Sequence, residues 1–381
     1  MSFAHIAPSI RIFADSHGLE RLNRELARLG CRRAVVFCGR SLAQHPCMEL
    51  VRDGIGDRLA GTFSGVKAHS PVPAVLEGVA GLRDLRADAV VAVGGGSAIV
   101  TARAAAIFLA EGDDLSSIST HRDANGRMHS PRLSKPKLPQ LVVPTTPNTA
   151  AVKAGTAVFN PDDARRYALF DPKTRASAVF VHADLLASAP TELVLAASLD
   201  CLSLAIDGLV SRSGDPFSDA LLIQSIRLLV RALPQLGEHD TPGIREDLTM
   251  AALLCGRGTD HSGAGITTVL GHAIGVNHHV ENGRVKAVLL PETMQFNLGN
   301  NDKGFANLAL ALGVDDARAV PAALRSLRSQ IGLPGSLGAL GIVDDALPAI
   351  AERAMLDWFI KDNPRTIEDP VELVELMRNA L

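Results

Sequence analysis

Aromatic residues are scarce in this sequence: Phe, Trp and Tyr make up 4% of its 381 residues, with one Trp and one Tyr. So few rings offer no stacking surface from which a substrate can be inferred. No cluster of Lys or Arg marks a dicarboxylate as substrate either. The net charge is −3 and there is no basic block, so nucleic acid is not an expected partner.

Cysteines are also few, odd in number and scattered. None forms a Cys-x-x-Cys pair, which argues against a disulfide framework and against a zinc ribbon. The five are Cys31, Cys38, Cys47, Cys201 and Cys255. The N-terminus lacks a basic region followed by an apolar core, so we expect no signal peptide and a cytoplasmic protein with reduced thiols.

No apolar run is long enough to span a membrane. The longest, Ala87 to Ala110, is interrupted by glycines and by Arg103. With 47% hydrophobic and 21% charged residues, the composition is that of a globular protein, and 381 residues suffice for two cores.

The first part of the chain alternates strand and helix patterns, which predicts a parallel sheet with crossover helices. The predicted strands are Ser9–Phe13, Arg33–Cys38, Asp88–Val93 and Gln140–Val143, and the predicted helices are Leu19–Leu29 and Val75–Leu85. The charged segment Asn160–Ser177 is read as a hairpin or exposed loop. We therefore expect an α/β domain over residues 1–185.

After residue 185 the patterns are almost entirely helical, which predicts an all-α domain over residues 186–381. The predicted helices are Glu192–Val210, Ser218–Leu233, Ile244–Cys255, Thr267–Val276, Lys286–Phe296, Gly304–Leu312, Pro321–Ile331, Ala346–Met355 and Pro370–Ala380. A cleft between two such domains is a common small-molecule site.

A triple-glycine turn, Gly94-Gly95-Gly96-Ser97, comes just after the apolar run Ala89-Val90-Val91-Ala92 and precedes a helix. Such a turn presents free N–H groups and the positive end of a helix dipole, which suit a pyrophosphate. A tight structural turn is the alternative. Two further groups, Gly39-Arg40-Ser41 and Thr145-Thr146, also follow strand ends, where ligands of parallel sheets bind.

The order of motifs along the chain resembles the iron-containing (group III) alcohol dehydrogenase family, whose superfamily includes dehydroquinate synthase and the maleylacetate reductases. The motifs are Gly94–Ser97, Pro144-Thr145-Thr146, Asp200, Gly271-His272-Ala273-Ile274-Gly275, Leu289-Leu290-Pro291 and Asn363-Pro364-Arg365. The Arg166–Leu186 segment, with Asp171-Pro172, is more similar to the maleylacetate reductase branch.

The resemblance implies an α/β nucleotide domain, a helical domain, a nicotinamide cofactor and a divalent metal that polarises the substrate carbonyl. It also implies a homodimer, in which the exposed strand Ser9–Phe13 could pair across the interface. The family's His at the position of His272 is assigned to proton relay or substrate contact, a role that suits imidazole. A core histidine bonded to a carbonyl is the alternative for His272.

The implied metal site departs from the family pattern at three of its four positions. Asp200 is retained, but Leu204, Thr268 and Asn282 stand where the family has histidines. Leu cannot coordinate a metal, and neutral Thr and Asn are poor ligands for iron or zinc. We therefore expect no catalytic metal, and we expect His272 to polarise the substrate with Thr268, Asn282 or His278 as hydrogen-bond donors.

A rebuilt metal site is the alternative, in which Asp200 and His272 are joined by residues close to Asn282. The candidates are His278, His279 and Glu281. We favour the simpler interpretation that His278 and His279 end a helix and cap its carbonyls.

The implied cofactor contacts also depart from the family. The loop with Thr145, Thr146 and Thr149 lacks the family's glycines and acid, and its Pro147 changes the backbone. Gly39 stands where NAD-preferring members often have an Asp, and Arg40 can pair with a 2′-phosphate, so NADPH is favoured over NADH. A solvated loop charge is the alternative for Arg40.

We therefore predict an NAD(P)-dependent oxidoreductase acting on a small aldehyde, ketone or oxo-acid. A dehydroquinate synthase-like lyase or cyclase is a second hypothesis, weakened because those enzymes also need the metal. A catalytically silent nucleotide-binding relative is the third.

Overall fold

The computed structural model describes residues 3–122, 128–237, 239–278 and 280–381. The chain divides into two compact units. The first is Ala7–Pro190, and the second is Thr191–Leu381 together with the N-terminal residues up to Ile6.

The first unit is α/β. Its strands are β1 (Arg11–Ala14), β2 (Ala34–Phe37), β3 (Leu59–Phe63), β4 (Ala89–Gly94), β5 (His121–Arg122), β6 (Met128–His129), β7 (Gln140–Pro144), β8 (Gly155–Asn160), β9 (Arg165–Phe170) and β10 (Ala178–Val181). Its helices are α1 (Leu22–Arg28), α2 (Arg40–Ala43), α3 (Met48–Ile55), α4 (Val72–Asp84), α5 (Gly96–Glu111), α6 (Leu115–Ile118) and α7 (Ala183–Ala187).

Six strands form one parallel sheet in the order β1-β10-β7-β4-β2-β3. The predicted parallel sheet is confirmed. All six residues of β4 are buried. One face of the sheet packs Val91 and Val93 into a core with α1 and α3, and on the other face Phe37 packs against Gly78 of α4. Burial on both faces explains the continuous apolar runs.

The charged segment after Asn160 belongs to an antiparallel hairpin, since β9 pairs with β8 over its whole length. Buried Arg103 of α5 anchors this region through backbone carbonyls, donating to Gly155 O at 2.8 Å and Ala150 O at 2.7 Å. The sequence pattern did not predict β8, because its alternation is weak beside the charged turn.

The second unit is helical. Its α-helices are α8 (Thr191–Val210), α9 (Pro216–Ala232), α10 (Pro242–Ser262), α11 (Ile266–His278), α12 (Asn282–Asn297), α13 (Asp302–Leu312), α14 (Val320–Gln330), α15 (Leu347–Ala354) and α16 (Pro370–Arg378). Among the described helices, only α8 is long and apolar enough to cross a membrane. Most of it is buried inside this unit, as expected of a core helix.

Several helix bounds differ from the predictions by a few residues, and two of the differences have a local cause. The helix expected to end at Cys255 continues to Ser262, since Gly258 lets α10 lie against α9. A Cβ at Gly258 would stand 2.6 Å from Leu222 Cγ. At the N-terminus, the helix expected from Leu19 begins as a 3₁₀ turn, Gly18–Arg21, before α1.

Candidate functional site

The triple-glycine turn forms an open cradle at the start of α5. Gly94 ends β4 with φ of 142°, and a Cβ there would lie 2.9 Å from that of Ala98. A Cβ on Gly95 would lie 3.0 Å from Thr146 Oγ1, whereas one on Gly96 would meet nothing within 4 Å. The open space lies at the N-terminus of a 16-residue helix, whose free N–H groups suit a phosphate.

The other two predicted cofactor groups lie beside this turn. Strands β2 and β7 flank β4, so the loops that follow the three strands share one edge of the sheet. Thr145 N donates to Gly94 O at 3.0 Å, and Thr145 and Thr146 are buried. Gly39 precedes α2, with Arg40 and Ser41 exposed. The structure therefore brings all three groups together.

The altered loop after Thr146 is held by its own contacts. The Asn148 side chain accepts from Ala151 N at 3.2 Å and donates to Thr146 O at 2.9 Å. These bonds shape a short 3₁₀ helix, Thr149–Ala151, which places Thr149 at the first turn. Without the usual glycines, the loop uses an Asn cap to turn back over α5.

In the helical unit, His272 of α11 is paired with a carboxylate that the sequence analysis missed. His272 Nδ1 lies 3.0 Å from Asp357 Oδ2, and the ring N–H donates to the carboxylate. The other oxygen of Asp357 accepts from Phe359 N at 2.9 Å and caps the 3₁₀ helix Trp358–Asp362. About a third of the His272 side chain is exposed. Asp357 therefore fixes a proton on Nδ1 and leaves Nε2 as the ring nitrogen on the side away from this carboxylate.

The four positions of the implied metal site carry a different set of groups. Asp200 of α8 bonds to the ammonium of Lys286 of α12, with 2.6 Å between Oδ1 and Nζ. Leu204 and Thr268 are buried. The amide oxygen of Asn282 lies against Gly275, where a Cβ would overlap it. These groups do not fit a divalent metal, because Asp200 is the one carboxylate among neutral side chains. That carboxylate is also already paired with a cation.

The Lys286 side chain is almost fully buried, with 2% of it exposed. Two glycines provide the space for this side chain. A Cβ on Gly283 would overlap the carbonyl oxygen of Ala196, so Gly283 lets α12 approach α8 one turn before Asp200. A Cβ on Gly271 would lie 2.6 Å from Lys286 Cγ and Cε, so Gly271 lets the aliphatic stem pass α11 beside His272.

A second buried carboxylate fixes the first turn of α11. Asp207 accepts from Thr267 Oγ1 at 2.7 Å and from Thr268 N at 2.8 Å. Burial raises the pKa of Asp207. The hydroxyl of Thr268 is itself buried and has no hydrogen-bond partner among the described residues. Thr268 thus stands at a metal-ligand position with its hydroxyl buried beside the Asp207 carboxylate.

The residues of the alternative metal site are only partly described. His278 is the last residue of α11, and Glu281 precedes α12 and pairs with Arg284. His279 lies outside the described residues. In the described part of the chain, Asp200, His272 and His278 do not form a cluster with ligand atoms close enough to share an ion.

The predicted signature Asn363-Pro364-Arg365 has a structural role in the helical unit. Asn363 is fully buried and its Oδ1 accepts from Ile266 N at 3.3 Å, which caps the start of α11. It also exchanges two bonds with Asn297, at 2.8 and 2.9 Å. The motif therefore positions the helix that carries His272.

Two family models match this chain, described as "Iron-containing alcohol dehydrogenase" over residues 8–183 and "Fe-containing alcohol dehydrogenase family, C-terminal" over residues 194–381. The chain is 28% identical over 369 residues to the lactaldehyde reductase of Escherichia coli (strain K12), covering 92% of this chain and 94% of the relative. It is also 28% identical over 376 residues to maleylacetate reductase 1 of Cupriavidus pinatubonensis, covering 98% and 95%.

Among solved structures, sulfoacetaldehyde reductase from Bifidobacterium kashiwanohense in complex with NAD+ superposes with a TM-score of 0.89, covering 100% of this chain and 99% of that one. At 18% identity, this likeness shows the fold alone.

Proposed function

Because the chain belongs to the iron-containing alcohol dehydrogenase family and is an oxidoreductase, we propose that it reduces small aldehydes, ketones or oxo-acids with NADPH or NADH and without a bound metal. Residues 1–185 form the cofactor domain and residues 186–381 the substrate domain. The observation that carries the metal-free proposal is the Asp200–Lys286 ion pair at the position of the family's metal.

The cradle at Gly94, Gly95 and Gly96 supports the cofactor. Its open space and the helix N-terminus would hold the pyrophosphate, with Ser97 beside them and Thr145, Thr146 and Thr149 toward the nicotinamide. When bound, the nicotinamide supplies the hydride that adds to the carbonyl carbon.

His272 is the proposed proton donor. As the carbonyl carbon is reduced, the π electrons move to the oxygen, which takes a proton from Nε2 of the His272 imidazolium. The ring is left neutral, with its remaining proton on Nδ1 toward Asp357. Asp357 holds the opposite ring nitrogen, so the donating nitrogen is set before the substrate arrives. Thr268, Asn282 and His278 are the proposed accessory hydrogen-bond donors to the substrate.

Arg40 supports NADPH as the favoured cofactor. It is exposed at the sheet edge next to the cradle, and no carboxylate follows β2 to repel a 2′-phosphate. The relatives' names point to small polar carbonyls such as lactaldehyde and maleylacetate. We further propose a soluble, cytoplasmic homodimer that binds neither nucleic acid nor membranes.

The test is a fluorescence titration of chelator-treated protein with NADPH and NADH, followed by turnover of an aldehyde and oxo-acid panel. We expect binding of both nucleotides, with Arg40→Ala weakening NADPH about tenfold and leaving NADH unchanged. Arg24→Ala, another exposed arginine of the same unit, is the matched control.

Loss of turnover on chelation, with recovery on adding a divalent metal, would contradict the metal-free proposal. Absence of binding by either nucleotide would overturn the dehydrogenase proposal and favour a silent relative. Binding without any reduction would direct the search to lyase or cyclase chemistry.

A further inference from the structure

We propose that the Lys286 ammonium, held by Asp200, takes the place of the family's divalent metal and stabilises the negative charge that develops on the substrate's carbonyl oxygen. This inference rests on the proposed reductase function for its catalytic part. Its structural part, that Lys286 and a metal exclude each other, is independent of the reductase function.

The first support is the position of the Lys286 amine. Its Nζ lies 2.6 Å from Oδ1 of Asp200, the one metal-ligand position whose side chain is retained. A metal–carboxylate bond would be about 2.0–2.2 Å long, so an amine 2.6 Å from Oδ1 competes with a metal for the same carboxylate oxygen. A second cation at that place would be repelled by the first.

The second support is the way the fold accommodates the lysine. Gly283 brings α12 against α8, and Gly271 leaves room for the stem as it passes α11. Either glycine bearing a Cβ would clash with a backbone carbonyl or with the stem. A buried ammonium is unfavourable without a partner, so Asp200 is retained here as its counterion.

The third support is the joint change at the other three positions. Leu204 supplies no donor atom, and Thr268 and Asn282 supply neutral oxygens. Three lost ligands alone would leave the carboxylate of Asp200 without a cation. Lys286 of α12 reaches the same carboxylate and supplies a positive charge in place of the metal that the three ligands would have bound.

The pair explains how a site without a metal can still polarise a carbonyl. Asp200 is 39% exposed, so the buried ammonium meets the accessible part of the site at this carboxylate. An N–H of Lys286 can donate to the carbonyl oxygen while another remains on Asp200. Loss of a single donor to such an oxyanion costs about 10²–10³ in kcat. Lys286 is thus a catalytic residue and Asp200 a positioning residue.

The first experiment tests whether Lys286 excludes a metal, using the visible absorption of Co²⁺ and equilibrium dialysis. Variant one carries Leu204→His, Thr268→His and Asn282→His with Lys286 retained, and variant two adds Lys286→Asn. We expect variant two to bind Co²⁺ at least 100-fold more tightly than variant one. Equal binding by both, or no binding by a folded variant two, would overturn the proposal.

The second experiment tests the catalytic role with Lys286→Met and, as a second neutral replacement, Lys286→Gln. We expect kcat to fall at least 100-fold for Met and at least tenfold for Gln, with the dinucleotide Kd unchanged. Lys303→Met, which removes an exposed lysine paired with Asp219, is the control. An unchanged kcat in a folded neutral variant would overturn the catalytic role.

Failure of the reductase proposal can be told apart from failure of this one. If the wild-type protein neither binds a nicotinamide nor turns over a carbonyl, the function is wrong and so is the catalytic part built on it. The Co²⁺ comparison still decides whether Lys286 occupies the metal's place, because it needs neither cofactor nor substrate.

Discussion

Two charged pairs set the chemistry of the helical unit at the scale of single residues. Asp200 pairs with Lys286 and His272 with Asp357, and each pair joins residues about 85 positions apart in the sequence. In both, a carboxylate holds the side chain that carries the proposed function. The carboxylate of Asp357 also caps the 3₁₀ helix Trp358–Asp362.

Substitution of Asp357 can separate the effect of its negative charge on His272 from its role as a helix cap. Asn is as good a helix cap as Asp, so Asp357→Asn keeps the cap but removes the charge that holds the imidazole. We expect kcat for carbonyl reduction to fall about 10- to 100-fold, with KM and the dinucleotide Kd nearly unchanged. Steady-state kinetics and nucleotide titration check this.

Asp357→Ala, which removes both cap and charge, is the comparison variant for that experiment. It should lose a similar factor in kcat and, in addition, about 1 kcal/mol of stability. A kcat of Asp357→Asn equal to that of the wild type would show that His272 needs no orientation by this carboxylate.

At the scale of elements, glycines decide how closely helices and loops approach one another. Gly283 and Gly271 shape the surroundings of Lys286, and Gly95 allows the cradle to lie against Thr146. Gly96 differs, because the space beside it is open and its backbone is ordinary helix. The fold therefore does not require a glycine at this position, which agrees with the proposal that a ligand approaches here.

Gly96→Ala is expected to fold normally and bind dinucleotide more weakly. Alanine favours the helix, so the melting temperature should stay the same or rise, while the added methyl enters the space proposed for the pyrophosphate. We expect a loss of about tenfold in nucleotide affinity, close to 1.4 kcal/mol. Thermal unfolding and fluorescence titration measure both effects.

Gly81→Ala in α4 is the matched control, since a Cβ there also meets nothing within 4 Å. It should gain in stability without any change in nucleotide affinity. Wild-type affinity in Gly96→Ala would place the pyrophosphate elsewhere.

At the scale of the whole molecule, each unit has a core of its own, and the helical unit also recruits the N-terminus of the chain. His5 bonds to Asp215 at 3.1 Å and stacks on His261, whose ring nitrogen bonds to Ile6 O at 2.9 Å. Asp215 also caps α9. These bonds account for this cluster without an ion.

The stability of the helical unit toward acid is predicted to depend on Asp215. Burial raises the pKa of Asp215, but hydrogen bonds from His5, Ser218 and Phe217 outweigh it and lower the pKa from 3.8 to about 2. The stabilisation is therefore complete above about pH 4 and is lost as the pH falls toward 2. Asp215→Ala should cost about 1 kcal/mol at pH 7.

The measurement is urea unfolding read by the fluorescence of Trp358, the one tryptophan of the chain, which lies in the helical unit. The difference from the wild type should shrink between pH 4 and pH 2. Asp315→Ala, which removes an exposed carboxylate, should show neither effect. A difference that stays constant over this pH range would contradict the proposed ionisation of Asp215.

Much of the fold could be predicted because its signals are local. The apolar strands, the glycine turn and the helical periodicity after residue 185 each lie within a short window, and the parallel sheet and helical second part are confirmed. Strands β3 and β10 were missed, since segments of five and four residues are too short to give a clear pattern. The predicted site residues themselves stay predictions.

The sequence by itself determined the family and the loss of three metal ligands, because the motifs retain their order and their spacing. Only the tertiary structure showed that Lys286 pairs with Asp200 and Asp357 with His272. In sequence, Lys286 resembles any helical lysine, and Asp357 stands among apolar residues before a short 3₁₀ helix. Their roles arise from helix packing between distant segments, which no local pattern encodes.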